Sequence, residues 1–165
     1  MYRFKWQDLG DIENGRPNLG KYTPVAVYRL MQYTLRSVLF EQFGPAEASR
    51  LFYKAGELAG VEFCKNLLDI SLGIDAFLAD LQRCMKEFEI GILRVEETGV
   101  NGSNFVFVIA EDLDCSGLPP TGETVCEYDE GFLAGVMSTY LNRKILAKEI
   151  DCWAKGDRVC RFRLT

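Results

Sequence analysis

The chain has 165 residues, 48% apolar and 26% charged, with a net charge of −5 and a pI near 4.9. That is enough for one domain with a sizeable core, and the acidic balance argues against a nucleic-acid surface. No apolar run approaches the roughly 18 residues of a spanning helix. The N-terminus MYRFKWQDLGDIENG lacks the apolar stretch of a signal peptide, so a cytoplasmic protein with reduced thiols is expected. There is no histidine. Ser-His and Cys-His nucleophile pairs and His-rich catalytic zinc sets are therefore excluded. No G-x-G-x-x-G nucleotide fingerprint is present either.

Residues 1–22 read as an arm: Tyr2, Phe4 and Trp6 alternate with polar groups before a loop through Arg16-Pro17-Asn18. Thr23-Pro24 is a helix start, with proline at the first helical position. Val27, Leu30, Met31, Leu35 and Val38 then recur at helical spacing, predicting an amphipathic helix over 24–43. Tyr28, Leu39 and Phe40 widen its apolar surface, so a second covered side is expected, supplied by a homodimer partner or a neighbouring helix.

Gly44-Pro45 ends that helix and opens another, running to about residue 67, with Ala48, Leu51, Phe52, Ala55, Leu58, Ala59 and Phe63 as its stripe. Gly56 and Gly60 inside it each cost about 1 kcal/mol of helix propensity. Another helix approaching closely is the expected reason. A third helix starts after Leu72-Gly73, with Ile74, Phe77, Leu78, Leu81, Met85 and Phe88 inward; Cys64 and Cys84 read as core residues.

Segments 89–98 and 104–111 flank a glycine-containing turn at 99–103 and predict a hairpin. The run FVFVIA has no polar face, so both sides of that strand should be covered. A loop follows from Asp112 to Thr124; Cys115 lies in it, near the thiols discussed next but outside the expected ligand set. A fourth helix is predicted over about 129–142, with Asp129 and Glu130 in its first turn and Gly131 and Gly135 baring its backbone.

The last forty residues hold Cys126, Cys152 and Cys160. Lys155-Gly156-Asp157 is a turn between IDCWA and RVCRFRL, so a hairpin would set Cys152 opposite Cys160, with Cβ atoms about 4.5–5.5 Å apart. With Glu149 these residues make a four-ligand set suited to zinc. Buried free thiols and a disulfide fit the same spacing. Glu149 and Cys152 are three apart and point to opposite faces of a regular strand, so sharing an ion demands a bulge between them.

The pattern C-x4-GF-x-AG followed by E-x2-C-x7-C resembles the 4-vinyl reductase domain. It falls here on Cys126, Gly131-Phe132, Ala134-Gly135, Glu149, Cys152 and Cys160, with Gly156-Asp157 in the last interval. The resemblance covers roughly Cys115 to Leu164 and implies a small-molecule-binding module whose fold is similar to TRAPP vesicle-tethering subunits. It also implies structural Zn²⁺ on Cys126, Glu149, Cys152 and Cys160, with Lys148, Lys155 or Arg158 available to offset the surplus negative charge.

The expected fold is α+β: an antiparallel sheet with helices packed on it and a zinc-braced C-terminal hairpin. It is read as a single domain over 1–165, divided into an arm (1–22), helices plus the first hairpin (24–112) and a metal-binding part (113–165). The expected function is non-catalytic binding or sensing of an apolar, hydrocarbon-like small molecule, as a homodimer that acts through a signalling partner. Phe105, Phe107, Phe132, Tyr140 and Trp153 are the candidate pocket liners, and the same aromatics would serve a plain core. Sensors of this family hold a phenol hydroxyl with a histidine and a tryptophan, an arrangement this chain cannot make. An accessory or catalytic role in a tetrapyrrole-type vinyl reductase, and a scaffold or tethering role, are the alternatives.

Overall fold

A computed structural model describes residues 2–99 and 104–165, and the chain forms two compact units, Met1–Ser49 and Arg50–Thr165.

In the first unit the expected extended arm is instead a 3-10 turn, Trp6–Leu9, followed by a short helix, α1 (Ile12–Gly15). Local carboxylates cause the difference. Asp8 accepts the Lys5 amide at 2.9 Å, and Asp11 accepts the Asn14 amide at 3.0 Å, so the backbone closes on itself. Helix α2 (Val25–Phe43) begins one residue later than expected, with Pro24 as its N-cap, and ends at Gly44 in the left-handed region. Its apolar stripe faces solvent: Val27, Leu30, Met31, Leu35 and Val38 are between 45% and 67% exposed, and the buried members are Gln32 and Arg36. This inverts the polarity that a helix normally shows.

The second unit takes in most of helix α3 (Pro45–Leu67), helix α4 (Ile74–Glu87), strands β1 (Ile92–Thr98) and β2 (Phe105–Ala110), helix α5 (Glu127–Leu141), and strands β3 (Ala147–Asp151) and β4 (Cys160–Leu164). The four strands form one antiparallel sheet in the order β1-β2-β4-β3. Apolar β2 lies between β1 and β4 and is buried along nearly its whole length, as its composition requires. Residues 100–103, within the turn expected between β1 and β2, lie outside the described residues. Helix α4 packs on β1 and α5 on β3. On α4, Phe77, Leu78, Leu81, Cys84 and Met85 are buried, whereas Phe88 is exposed just past the helix end and sets its ring edge-on to Phe63 at 5.6 Å.

The buried stripe of α3 runs through its glycines, Phe52-Gly56-Gly60-Phe63, and Ala55 is turned to solvent. Helix α5 is what comes close. A Cβ placed on Gly56 or Gly60 would lie 1.9 Å from the Tyr128 carbonyl oxygen or 2.1 Å from that of Phe132. Reciprocally, one on Gly131 or Gly135 would lie 1.9 Å from the Tyr53 carbonyl or 2.3 Å from that of Glu57. The helices therefore cross backbone to backbone over two glycine pairs. This crossing, with the sheet on another side, explains why α5 is buried without a break from Asp129 to Met137.

Candidate metal centre

Helix α5 starts at Glu127, two residues earlier than the spacing suggested, so Cys126 is its N-cap residue. Strand β3 ends at Asp151 rather than running on through Trp153. The chain leaves it at Cys152 for a 3-10 turn (Trp153–Lys155), because the Cys152 amide donates to Asp157 Oδ2 at 3.0 Å and its carbonyl accepts the Lys155 amide at 2.9 Å. Gly156, at φ 105°, completes the reversal in a conformation other residues rarely adopt. The β3/β4 register shifts between Glu149 and Asp151, the irregularity that the Glu149–Cys152 spacing demands. Cys160 opens β4 opposite Ile109 of β2.

These elements bring three of the expected ligands together. Cys126 Sγ is 3.9 Å from Cys152 Sγ and 3.8 Å from Cys160 Sγ. The fourth sulfur is that of Cys115, 3.1 Å from Cys160 Sγ, and all four sulfurs lie within 4.8 Å of one another. Asp112 places Cys115 there: its Oδ1 accepts the amides of Asp114 at 2.8 Å and Cys115 at 3.0 Å, closing a turn directly after β2. The same loop is tied to the hairpin by Thr121 and Gly122, whose amides donate to the Ala154 carbonyl at 2.7 and 3.0 Å. Cysteine content alone could not single out Cys115; the acidic turn preceding it was the available signal.

All six cysteines are free thiols, and all are buried. Cys64 and Cys84 sit in the core as expected, with burial pushing the Cys64 thiol up to about 11. The cluster behaves differently. Hydrogen bonding to Cys115 pushes the Cys126 and Cys160 thiols up and pulls that of Cys152 down, so the group shares its protons. Glu149 is buried beside it. Neither of its carboxylate oxygens meets a hydrogen-bond partner among the described residues, and burial followed by the charge of Cys152 pushes its pKa up to about 9. Lys148 does not reach the sulfurs; its ammonium pairs with Glu130 at 2.8 Å, and Glu130 Oε1 in turn accepts the Glu149 amide at 2.8 Å. Lys155 donates to the Ile150 carbonyl at 3.3 Å.

The donor set fits one soft divalent ion. Four thiolates about 2.3 Å from a tetrahedral zinc are about 3.8 Å apart, close to two of the separations here. Glu149 is a fifth donor alongside. A four-sulfur set leaves no open coordination position, which suits a structural ion.

The expected pocket liners are dispersed. Phe105 and Phe107 are fully buried on β2, their ring centroids 5.6 Å apart. Phe132 packs edge-on to Phe63 at 5.1 Å. Tyr140 stacks on Phe77 at 3.8 Å and donates its hydroxyl to the Leu72 carbonyl at 2.9 Å. Trp153 donates its indole N–H to Leu118 and borders an open groove of about 450 Å³ with Gly117, Pro120, Gly156, Asp157 and Arg158.

Comparison with known proteins matches this geometry to a class. The family model of the 4-vinyl reductase domain matches residues 105–165, the segment from β2 to β4 that carries all four clustered cysteines, so the resemblance read from Cys126 to Cys160 is borne out there. Two uncharacterized proteins of Methanocaldococcus jannaschii are similar in sequence. MJ0150 is 27% identical over 94% of this chain and 85% of its own length, and MJ1642 is 27% identical over 88% and 80%.

Among solved structures, a vinyl-4-reductase family protein from Methanocaldococcus jannaschii shares the fold at TM-score 0.62 and 15% identity, covering 88% of this chain and 83% of that one. The phenol-responsive sensory domain of the transcription activator PoxR, solved with phenol, does so at 0.63 and 19%, covering 88% and 75%. A trafficking protein particle complex subunit 3 from Naegleria fowleri, covalently bound to palmitic acid, follows at 0.58 and 16%, covering 86% and 95%. The fold is thus α+β and shared with vinyl-4-reductase-family and TRAPP-subunit structures. No helix among the described residues is long and apolar enough to cross a membrane.

Proposed function

We propose that this chain is a non-catalytic domain that binds or senses an apolar small molecule and is braced by a structural zinc ion. The observation that carries the reading is the convergence of Cys115, Cys126, Cys152 and Cys160, buried and within 4.8 Å of one another, inside the segment that matches the 4-vinyl reductase domain. Cys115 completes a thiolate tetrahedron with three of the expected ligands, and Glu149 stands next to them as an alternative fourth. The ion's work is mechanical. It joins the loop after β2, the start of α5 and the β3–β4 hairpin, three segments well separated along the chain.

Two neighbours in fold carry organic guests, phenol in one and palmitic acid in the other, which supports an apolar ligand class. The groove beside Trp153 falls in the size range of small-molecule sites, about 300–1,000 Å³, and adjoins the metal-bearing hairpin. The solvent-facing stripe of α2 supports a homodimer, since a contiguous apolar helix face marks an interaction surface.

Native mass spectrometry of the purified protein, followed by solvent extraction of whatever organic molecule it retains, tests the reading. Bound zinc together with a co-purified apolar compound is the expected result. Absence of both, in protein prepared without chelators and in excess zinc, overturns it.

A further inference from the structure

The Cys126 corner of the thiol group carries a second set of donors. Asp112, just after β2, and Asp129, in the first turn of α5, each bring a carboxylate oxygen to Cys126 Sγ; the three atoms lie within 4.8 Å of one another and all three residues are buried. Asp129 is only 4% exposed, and its Oδ2 meets no hydrogen-bond partner among the described residues. A buried carboxylate without a donor is costly unless a cation answers it. The nearby basic side chains are engaged elsewhere: Lys148 with Glu130, and Arg161 with Glu96 and Asp151. One divalent ion on four thiolates already leaves a net charge of about −2, so it does not answer the charge of Asp129.

We infer that Asp112, Cys126 and Asp129 hold a second divalent cation beside the first, with the Cys126 sulfur bridging the two. The inference rests on the reading of the four thiols as the first site. A thiolate bound to one ion retains lone pairs for another. Two carboxylate oxygens and a sulfur suit zinc, whose ligands are thiolates, imidazoles and carboxylates. The positive end of α5 opposes a cation here, but Glu127, Asp129 and Glu130 in its first turn outweigh a dipole worth roughly half a charge. Three protein ligands leave one position for water or a small anion, unlike the closed four-sulfur site.

The test is a zinc count. Metal-stripped protein is titrated with zinc and weighed by native mass spectrometry, and parallel Co²⁺ loading reports thiolate ligation through its charge-transfer absorption. Two ions per chain are expected in the wild type. Asp129→Asn should hold one, with the cobalt–thiolate band retained; Asp112→Asn, which keeps an oxygen for the Asp114 and Cys115 amides, should behave alike. One ion in the wild type at saturation overturns the second site while leaving the first intact. Two ions in both variants overturn the assignment of its ligands. No ion at all sinks the first site as well. Should either variant fail to fold, the wild-type count still decides.

Discussion

Replacing Gly131 with alanine tests the helix crossing that sets α5 in place. The added Cβ would lie 1.9 Å from the Tyr53 carbonyl oxygen and 2.7 Å from the Glu57 amide nitrogen, where ordinary contact begins at 3.4 Å. Both obstacles are backbone of α3, so no side chain can swing aside, and the helices must part by up to about 1.5 Å. Overpacking of this kind costs about 1–3 kcal/mol, and a rigid neighbour puts the change at the upper end. Alanine's helix propensity returns about 1 kcal/mol. The balance is a loss of about 2 kcal/mol, or about 4–8 °C in Tm for a chain of this size. Thermal and urea unfolding followed by circular dichroism would measure it, with Gly73→Ala as the control, since nothing lies within 4 Å of a Cβ there. A Gly131→Ala midpoint at or above that of the wild type would refute the close-crossing argument.

Cys115→Ser should weaken zinc binding by more than the 10–100-fold typical of losing an outer partner, and Glu149→Gln should stay within that range. Competition against a chromophoric chelator ranks them, and the reverse order would restore Glu149 as the fourth ligand. Removing zinc with a chelator should lower Tm, because an ion that binds only the folded chain stabilises it by mass action; an unchanged Tm would mean that nothing was bound. Leu30→Asp, on the exposed stripe of α2, should convert a dimer to a monomer in sedimentation equilibrium without lowering helix content. The Arg161 guanidinium, 2.8 Å from Glu96, holds that carboxylate below its usual pKa. Because the folded value is the lower one, the pair's contribution is present at neutral pH and lost as pH falls through that value. The Tm difference between wild type and Glu96→Gln should therefore be small at pH 7, shrink further below about pH 4, and vanish in high salt.

Much of the fold was legible because proline, glycine and apolar spacing punctuate this chain clearly. Gly44-Pro45 and Leu72-Gly73 separate α2, α3 and α4, and the glycines of α3 and α5 announced a close approach. Helical spacing could not say which way a stripe faces. On α3 the glycines themselves form the buried line, because an opposing backbone, and not a side chain, fills the space. On α2 the stripe points outward, an orientation no single-chain periodicity can assign. At the metal centre, Cys126, Cys152 and Cys160 were readable from spacing and resemblance. Cys115 was not, since its position depends on the Asp112 turn and on Cys160 lying 45 residues later in the chain. Asp129 looked like a residue serving the helix dipole; only packing shows that it is buried beside a sulfur.

The strand order carries a consequence for synthesis. As the ribosome delivers this chain, β2 finds β1 at once, but its other edge waits for β4, roughly fifty residues and several seconds later at ordinary elongation rates. During that interval an entirely apolar strand stands with one flank unpaired, the situation that invites nascent chains to stick to one another or to recruit a chaperone. Cys160 is translated after the other three sulfurs and lies on the very strand that closes this gap, so the event that seals the sheet also completes the cage.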